Sequence, residues 1–484
     1  IPCKFVEIIF EMKRRNFFKI GGLAAIGTSI LNPLDTLAHS AENQTTLFKN
    51  KKAKNIIFMV SDGMSQGPLN LANIHTERFY GKPNQWIQLY LDNKVSRGLM
   101  DMASASAIVT DSAAASSSWG GGQRVKNGSL NIGVNGEEIM PIWQKFKAKG
   151  KKVGCVTTVP ITHATPAGFT VSVKSRNNQE KIAKEYLRIG YDVLLGGGQQ
   201  YFDEDLRKDK VDLYEKFEEK GYHVATSKKD LYSLQKDQKV LGVFDIDGLP
   251  YAIDREQSED LKAKIPTLAE MTEIAINQMQ SNDKGFVLQV ESGKVDWAAH
   301  ANDIAGLIHE QLQFDEALKV AMKFAEQDGE TLVIITTDHG NANPGLIYGK
   351  HSNDGFDSLL NYKATNETIL NKIKNNHSAN DIKELIQNHI QLKISDDEAQ
   401  SISQYYNNLD KGEDGLYNYR KLPFQLLSEI QKKHNSIGWI SMDHSADYVE
   451  IAMYGPGSHL HKPFMKNTDL HYLMLEAAEV ENHF

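Results

Sequence analysis

The stretch Asn55–Met64, which reads NIIFMVSDGM, decides the fold of this chain. The apolar run Asn55–Val60 is typical of a strand that is buried on both faces of a parallel sheet. It ends in Ser61-Asp62-Gly63, and α/β proteins place their sites at the carboxyl ends of such strands. Asp62 is therefore a candidate metal ligand, although an aspartate here could also cap a helix or a turn.

Similar runs recur along the chain and predict a central, mostly parallel sheet flanked by helices. These runs are Lys152–Thr158, Gly285–Val290, Thr331–Thr336 and Tyr448–Met453. The charged, mixed stretch 200–265 predicts peripheral helices and a small hairpin. The polar stretch 346–437 predicts a mostly helical insertion that interrupts a catalytic domain of residues 53–345 and 438–484.

The stretch Ile108–Gly122, IVTDSAAASSSWGGG, carries the candidate nucleophile. A β-branched, extended run leads into Asp111 and Ser112, and three alanines then favour a helix. Ser112 is expected in the first turn of that helix, where free N–H groups and the helix dipole favour an anion. A serine there can act as a nucleophile, although Asp111 and Ser112 could also serve only as helix caps.

Carboxylates and imidazoles follow the other predicted strands. Glu291 and the pair Asp338-His339 end two of them, and His444 comes late in the chain. Asp296 and His300 are four residues apart, which places both on one face of a helix. Mixed carboxylate and imidazole sets suit Zn²⁺, whereas oxygen-rich sets suit Mg²⁺.

Two further residues lie beyond the strand Lys152–Thr158. Thr165 carries a hydroxyl that suits Mg²⁺ as a hard oxygen ligand. The guanidinium of Arg176 can grip two phosphate oxygens, although a lone arginine could also form a surface ion pair.

Composition limits the function classes. The chain has 484 residues, 40% of them hydrophobic, and a net charge of −8, so nothing in its charge suggests nucleic-acid binding. Its two cysteines, Cys3 and Cys155, cannot build a disulfide framework.

Residues 1–40 read as an upstream stretch of 11 residues followed by an export signal that starts at Met12. Arg14-Arg15 precede the short apolar run Ile20–Leu31, a pattern that indicates the twin-arginine translocase as export partner and a periplasmic or secreted location. An ordinary Sec signal or a membrane anchor is the alternative. We expect no integral membrane span in the mature chain.

Taken together, these motifs resemble those of the alkaline phosphatases over residues 53–345 and 438–478. The motifs are Ser61-Asp62-Gly63-Met64, Thr110-Asp111-Ser112-Ala113-Ala114, His163-Ala164-Thr165-Pro166-Ala167, Glu291 with Asp296 and His300, Thr337-Asp338-His339, and His444-Ser445 before Tyr454-Gly455-Pro456. The resemblance implies a three-layer α/β sandwich with a helical insertion. It also implies hydrolysis of small phosphate monoesters through a phosphoserine intermediate.

The resemblance further implies two Zn²⁺ ions and one Mg²⁺ ion. Asp62, Ser112, Asp338 and His339 would bind one zinc; Asp296, His300 and His444 would bind the other; Asp62, Thr165 and Glu291 would hold magnesium. Ser112 would be the nucleophile, with Asp111 beside it, and Arg176 would clamp the phosphate.

The chain departs from the family pattern in two places. His163 and Trp297 stand where the enterobacterial enzymes carry Asp and Lys, and they resemble the pair found in several marine and cold-adapted members. This leaves open whether the third metal is Mg²⁺ or Zn²⁺. After Asp338-His339 comes Gly-Asn-Ala-Asn, which we expect to reshape the wall beside the site but not the ligands.

Other functions stay open from the sequence. A phosphodiesterase or a sulfatase of the same superfamily is the nearest enzyme alternative. The context of Ser112 and Cys155 lacks the x-Pro-x-Arg that a sulfatase nucleophile needs. A non-catalytic metal- or phosphate-binding protein is the alternative from another class, and a homodimer is neither required nor excluded.

Overall fold

The structure is a computed structural model that describes residues 48–49, 51–407, 409–412 and 416–482. All of these residues belong to one compact unit. The predicted export signal within residues 1–40 lies outside the described residues. No helix in the described ranges is long and apolar enough to cross a bilayer.

A ten-stranded sheet forms the centre of the molecule. The ten strands are β1 (Asn55–Ser61), β2 (Ser96–Asp101), β3 (Lys152–Pro160), β4 (Val193–Gly197), β5 (His223–Ala225), β6 (Val240–Val243), β7 (Phe286–Ser292), β8 (Thr331–Thr336), β13 (Val449–Tyr454) and β14 (Phe464–Lys466). Their order in the sheet is β14-β2-β13-β8-β1-β7-β3-β4-β6-β5. Strand β13 runs antiparallel to both of its neighbours, and the other pairings are parallel. The short strands β9 (Gly340–Asn341), β10 (Gly345–Leu346), β11 (Ile437–Gly438) and β12 (His444–Ser445) form two small pairs, β9 with β12 and β10 with β11.

Helices cover both faces of the sheet. They are α1 (Gln66–Tyr80), α2 (Gln85–Leu91), α3 (Ser112–Gly121), α4 (Ile142–Ala148), α5 (Ala164–Thr170), α6 (Gln179–Ile189), α7 (Leu213–Glu219), α8 (Lys228–Leu231), α9 (Ala252–Glu256), α10 (Glu259–Lys264), α11 (Leu268–Met279), α12 (Lys294–His300), α13 (Ile304–Asp328), α14 (Ser352–Asp357), α15 (Asn366–Lys372), α16 (Ala379–Ile390), α17 (Asp396–Tyr406), α18 (Phe424–Asn435) and α19 (Asp469–Ala477).

Strand β1 explains the layered architecture. Ile57 and Met59 pack into one apolar core, whereas Ile56, Phe58 and Val60 pack into another. Successive side chains of a strand point to opposite faces, so a fully apolar strand needs a helical layer on each side. The predicted α/β fold with a mostly parallel central sheet is confirmed.

One local prediction is wrong. The stretch 200–265 contains no hairpin, because β5 and β6 pair parallel and are joined through helix α8. The β-branched run Ile108–Thr110 leads into Asp111 without pairing with a strand, and Ile108 is 78% exposed.

The stretch 346–437 is mostly helical, as the sequence predicts, and is tied to the rest of the chain by two carboxylates, of which Asp303 is buried. Asp254 accepts a hydrogen bond from the Thr365 N–H at 3.0 Å, and Asp303 accepts one from the Asn366 N–H at 2.6 Å. These bonds satisfy the free N–H groups at the start of α15.

Candidate active site

Ser112 begins helix α3, as the sequence predicts. Asp111 is the N-cap residue, and its side chain accepts a hydrogen bond from the Ala114 N–H at 2.9 Å. The helix packs closely on α5, where a Cβ atom on Gly120 would come within 1.9 Å of the Gly168 carbonyl oxygen. This packing buries the side chain of Ser112 at the free N-terminus of its helix.

The first group of side chains, which we call the inner group, consists of Asp62, Ser112, Asp338 and His339. Asp62 directly follows β1, and Asp338 comes just after β8, the parallel neighbour of β1. His339 Nε2 lies 3.1 Å from Asp338 Oδ2, 3.6 Å from Asp62 Oδ1 and 3.2 Å from Ser112 Oγ. The neighbouring strand ends therefore bring two carboxylates and an imidazole to the serine hydroxyl.

The outer group consists of Asp296, His300 and His444. Asp296 and His300 lie one turn apart on α12, with 3.4 Å between Asp296 Oδ2 and His300 Nε2. His444 Nε2 lies 3.6 Å from Asp296 Oδ1 and 3.1 Å from His300 Nε2. The His444 ring also stacks on the His339 ring at 3.6 Å between centroids, so the outer and inner groups are in direct contact.

The third group consists of Asp62, Thr165 and Glu291. Thr165 Oγ1 donates to Asp62 Oδ2 at 3.1 Å. Glu291 ends β7 and accepts a hydrogen bond from Thr157 on the adjacent strand β3. His163 lies beside this group, since its imidazole, Asp62 and Glu291 each offer a potential ligand atom within 4.8 Å of the others.

Arg176 connects the nucleophile helix to His163. It donates to Asp111 Oδ2 at 3.1 Å, and its other terminal nitrogen lies 2.9 Å from His163 Nε2. The ring of Trp297 packs edge-on to that of His163 at 6.2 Å. With these residues, all thirteen side chains singled out from the sequence lie in one connected cluster.

The pKa values of the buried carboxyl groups shift in two directions: they are raised for Asp62 and Glu291 and lowered for Asp338 and Asp296. Burial, together with the charges of Asp338 and Asp296, raises the pKa of Asp62 well above its ordinary value. Burial also raises the pKa of Glu291 to about 7, with the charge of Asp338 adding to the effect. Without a cation, these groups resist ionisation.

The other two carboxylates lie beside imidazoles. Burial opposes the ionisation of Asp338, but His339 outweighs it and lowers the pKa of that carboxyl group. The pKa of His339 is raised in turn, because Asp338 outweighs the effect of burial on the imidazole. Burial likewise opposes the ionisation of Asp296, yet His300 and His444 keep its pKa below the ordinary value.

Two buried carboxylate oxygens indicate that the site fits metal ions. Asp62 Oδ1 and Glu291 Oε1 have no hydrogen-bond partner among the described residues. Unpaired buried acceptors are rare in proteins, and divalent cations satisfy them. The donor types match, because imidazoles and carboxylates are zinc ligands and the oxygen-rich third group suits magnesium.

Sequence reasoning missed three residues that hold the site together. Thr157 donates to Glu291, and Thr337 Oγ1 accepts from the Met64 N–H at 3.0 Å. Asn341 donates to Asp296, so the segment after His339 contacts a candidate ligand. The sequence signals are position alone: Thr337 directly precedes Asp338, and Asn341 lies in the segment that departs from the family pattern.

Comparisons with known proteins agree with this geometry. The family model described as "Alkaline phosphatase" matches residues 53–480. Alkaline phosphatase 4 of Bacillus subtilis is 32% identical over 423 residues, which are 86% of this chain and 87% of that protein. The crystal structure of the Thermus thermophilus alkaline phosphatase superposes with a TM-score of 0.82 at 31% identity, covering 93% of this chain and 96% of the other. The cold-active alkaline phosphatase of a psychrophilic Shewanella superposes with a TM-score of 0.73 at 27% identity, covering 88% of this chain and 99% of the other.

Proposed function

This chain belongs to the alkaline phosphatase family, and from that premise we propose that it is an exported, metal-dependent enzyme that hydrolyses phosphate monoesters through a phosphoserine on Ser112. One observation carries the proposal. The Ser112 hydroxyl lies at a helix N-terminus and directly contacts a buried cluster of carboxylates and imidazoles. Export rests on the sequence of residues 1–40 alone.

The three groups fit two zinc ions and a third cation. The zinc ligands would be Asp62, Ser112, Asp338 and His339 in the inner group, and Asp296, His300 and His444 in the outer group; Asp62, Thr165 and Glu291 would hold magnesium. The nearby imidazole of His163 makes zinc the alternative for the third position. Elemental analysis of protein purified without added metal salts decides between them.

The bound cations would supply charge stabilisation and make the Ser112 hydroxyl more acidic. Ser112 Oγ would lose its proton and form a bond to phosphorus as the ester P–O bond breaks, and the ester oxygen would take up a proton and leave as an alcohol. Water would then attack the seryl phosphate: its oxygen bonds to phosphorus, the P–Oγ bond breaks, one water proton returns to Ser112 Oγ, and inorganic phosphate is released.

Two features of the chain position the phosphoryl group. The free N–H groups at the start of α3 favour the negative charge of the transferring group. Arg176 is held by Asp111 and His163, so its guanidinium needs little reordering to bind two phosphate oxygens. Stabilising the equatorial oxygens is the main requirement of phosphoryl transfer.

The test compares three substrates. We expect rapid hydrolysis of p-nitrophenyl phosphate and much slower hydrolysis of bis-p-nitrophenyl phosphate and p-nitrophenyl sulfate. Chelation should abolish the activity, and zinc with magnesium should restore it. A preference for the bis-ester or the sulfate would overturn the proposal in favour of the phosphodiesterase or the sulfatase, and no turnover of any substrate would favour a binding protein.

Ser112→Ala tests the covalent step. We expect a loss of kcat of about 10⁴-fold or more, as for other removed nucleophiles. Mass spectrometry after an acid quench should find phosphate on the Ser112 peptide of the parent enzyme alone. Full turnover in the variant would exclude Ser112 as the nucleophile.

A further inference from the structure

Asn341 is a buried residue that contacts the outer group directly. Its side-chain Nδ2 donates to Asp296 Oδ1 at 2.7 Å and to the Asp296 backbone oxygen at 3.2 Å. The same amide therefore holds both the carboxylate and the main chain of one residue on α12. Asn341 is fully buried, so water does not compete for these bonds.

Chemistry determines how this amide is oriented. Both groups that face the nitrogen of Asn341 are acceptors, so the NH₂ end must point to Asp296. The amide oxygen, Oδ1, is then left buried with no hydrogen-bond partner among the described residues. Leaving such an acceptor unpaired destabilises a fold, so this arrangement is not the one that folding alone would favour.

The backbone pairing of strand β9 with β12 fixes the position of Asn341. Strand β9 pairs antiparallel with β12, and Asn341 lies opposite His444 in that register. The adjoining Gly340 leaves no space for a side chain, because a Cβ there would lie 2.5 Å from Asp447 Oδ2 and 2.6 Å from Ser445 Oγ. The segment is thus packed against the strand that carries one imidazole of the outer group.

The orientation of the Asp296 carboxylate follows from these contacts. The Asn341 amide holds Asp296 Oδ1, which lies 3.6 Å from His444 Nε2. The other oxygen of this carboxylate, Oδ2, faces His300 Nε2 at 3.4 Å. Rotation of the carboxylate would break the 2.7 Å bond. The amide thereby keeps the carboxylate plane turned toward both imidazoles.

We propose that Asn341 is a positioning residue that fixes the Asp296 carboxylate for metal binding by the outer group. The proposal rests on the proposed function, in which Asp296, His300 and His444 hold a zinc ion. Hydrogen bonds to metal ligands typically change metal affinity by 10–100-fold when they are removed. Asn341 is thus expected to act on metal affinity and geometry rather than on the substrate.

The experiment uses the full enzyme with Asn341→Ala and Asn341→Leu. Leucine has nearly the shape of asparagine and removes the unpaired oxygen, so it guards against loss of the fold. Zinc affinity is measured by competition with a chromophoric chelator, and the visible spectrum of the cobalt-substituted enzyme reports ligand geometry. We expect one of the bound zinc ions to bind about 10–100-fold more weakly in both variants, with an altered cobalt spectrum.

Two controls separate the possible outcomes. Asn343→Gly removes a side chain of the same segment that contacts Ser445, at a position whose left-handed φ of 44° suits glycine, and we expect it to bind zinc as the parent does. His300→Ala should lose one zinc; if it loses none, the metal site of the proposed function fails. If His300→Ala loses zinc while a folded Asn341→Leu binds zinc as the parent does, only the role of Asn341 is overturned.

Discussion

The inner and outer groups both combine carboxylates with imidazoles but are held in different ways. Asp62, Asp338 and His339 are fully buried, and two adjacent parallel strands position both carboxylates. The His300 side chain is 33% exposed, and it lies on a helix of only seven residues. His444 belongs to a strand of two residues. The sheet as a whole thus fixes the inner group, whereas a few individual contacts fix the outer group.

The largest expected difference is in stability. Asp338→Ala removes the partner of buried His339 and the acceptor of the Gly63 N–H, so we expect the free energy of unfolding to fall by about 3–5 kcal/mol. His300→Ala removes contacts of a partly exposed side chain, among them the bonds to the Met442 carbonyl oxygen and to His444, and should lower the free energy of unfolding by only about 1 kcal/mol. Urea unfolding after exhaustive chelation measures both values. Equal losses would contradict the contrast between the groups.

The kinetics of metal release should follow the same contrast. The partly exposed imidazoles of the outer group admit a chelator more easily than the buried inner group. We therefore expect zinc release from the parent in two phases, and loss of the faster phase in His444→Ala. Stopped-flow detection with a zinc-sensitive dye measures the phases. A single phase in the parent would show that exposure does not govern release.

Arg176→Lys tests phosphate binding without changing any residue of the inner or outer group. Lysine keeps the charge but lacks the two-pronged donor that contacts Asp111 and His163, so inhibition by phosphate should weaken about 10-fold. Zinc content should stay at the parent value. Arg188→Lys, at a position whose side chain is 65% exposed, is the matched control and should leave the inhibition constant unchanged. Parent-like inhibition of Arg176→Lys would remove Arg176 from the phosphate site.

The smallest expected effect concerns the third group. Thr157→Val removes the hydrogen bond to Glu291 and should lower the free energy of unfolding by about 1 kcal/mol while weakening the third metal. Thr158→Val is the matched control, because its hydroxyl accepts from the Lys294 N–H and not from the site. Activity measured as a function of magnesium concentration gives the magnesium requirement of each variant. Equal magnesium requirements would exclude Thr157 as a support of the site.

Residues at the ends of apolar strands were predictable from the sequence. Asp62, Glu291 and Asp338 each follow such a run, and parallel strands place their carboxyl ends at one edge of the sheet. The Asp296 and His300 pair was predictable from helical spacing. His444 was a candidate by residue type alone, and its pairing with Asp296 and His300 came from the family resemblance, since its strand is too short to leave a periodic pattern.

The error in the stretch 200–265 has a physical cause too. Two short strands that are joined by a polar segment favour a hairpin. In the stretch 200–265 the connecting segment contains the short helix α8, which lets β5 and β6 run parallel.

The sequence by itself determined the buried strands, the helix that starts at Ser112 and the residue types at the strand ends. These follow from apolar runs and helix propensity, which act over a few neighbouring residues. Only the tertiary structure decided that Asn341 holds Asp296, that Thr157 holds Glu291 and that His444 stacks on His339. These contacts join residues 45 to 134 positions apart along the chain, and no local pattern encodes the direction of a side chain across such a distance.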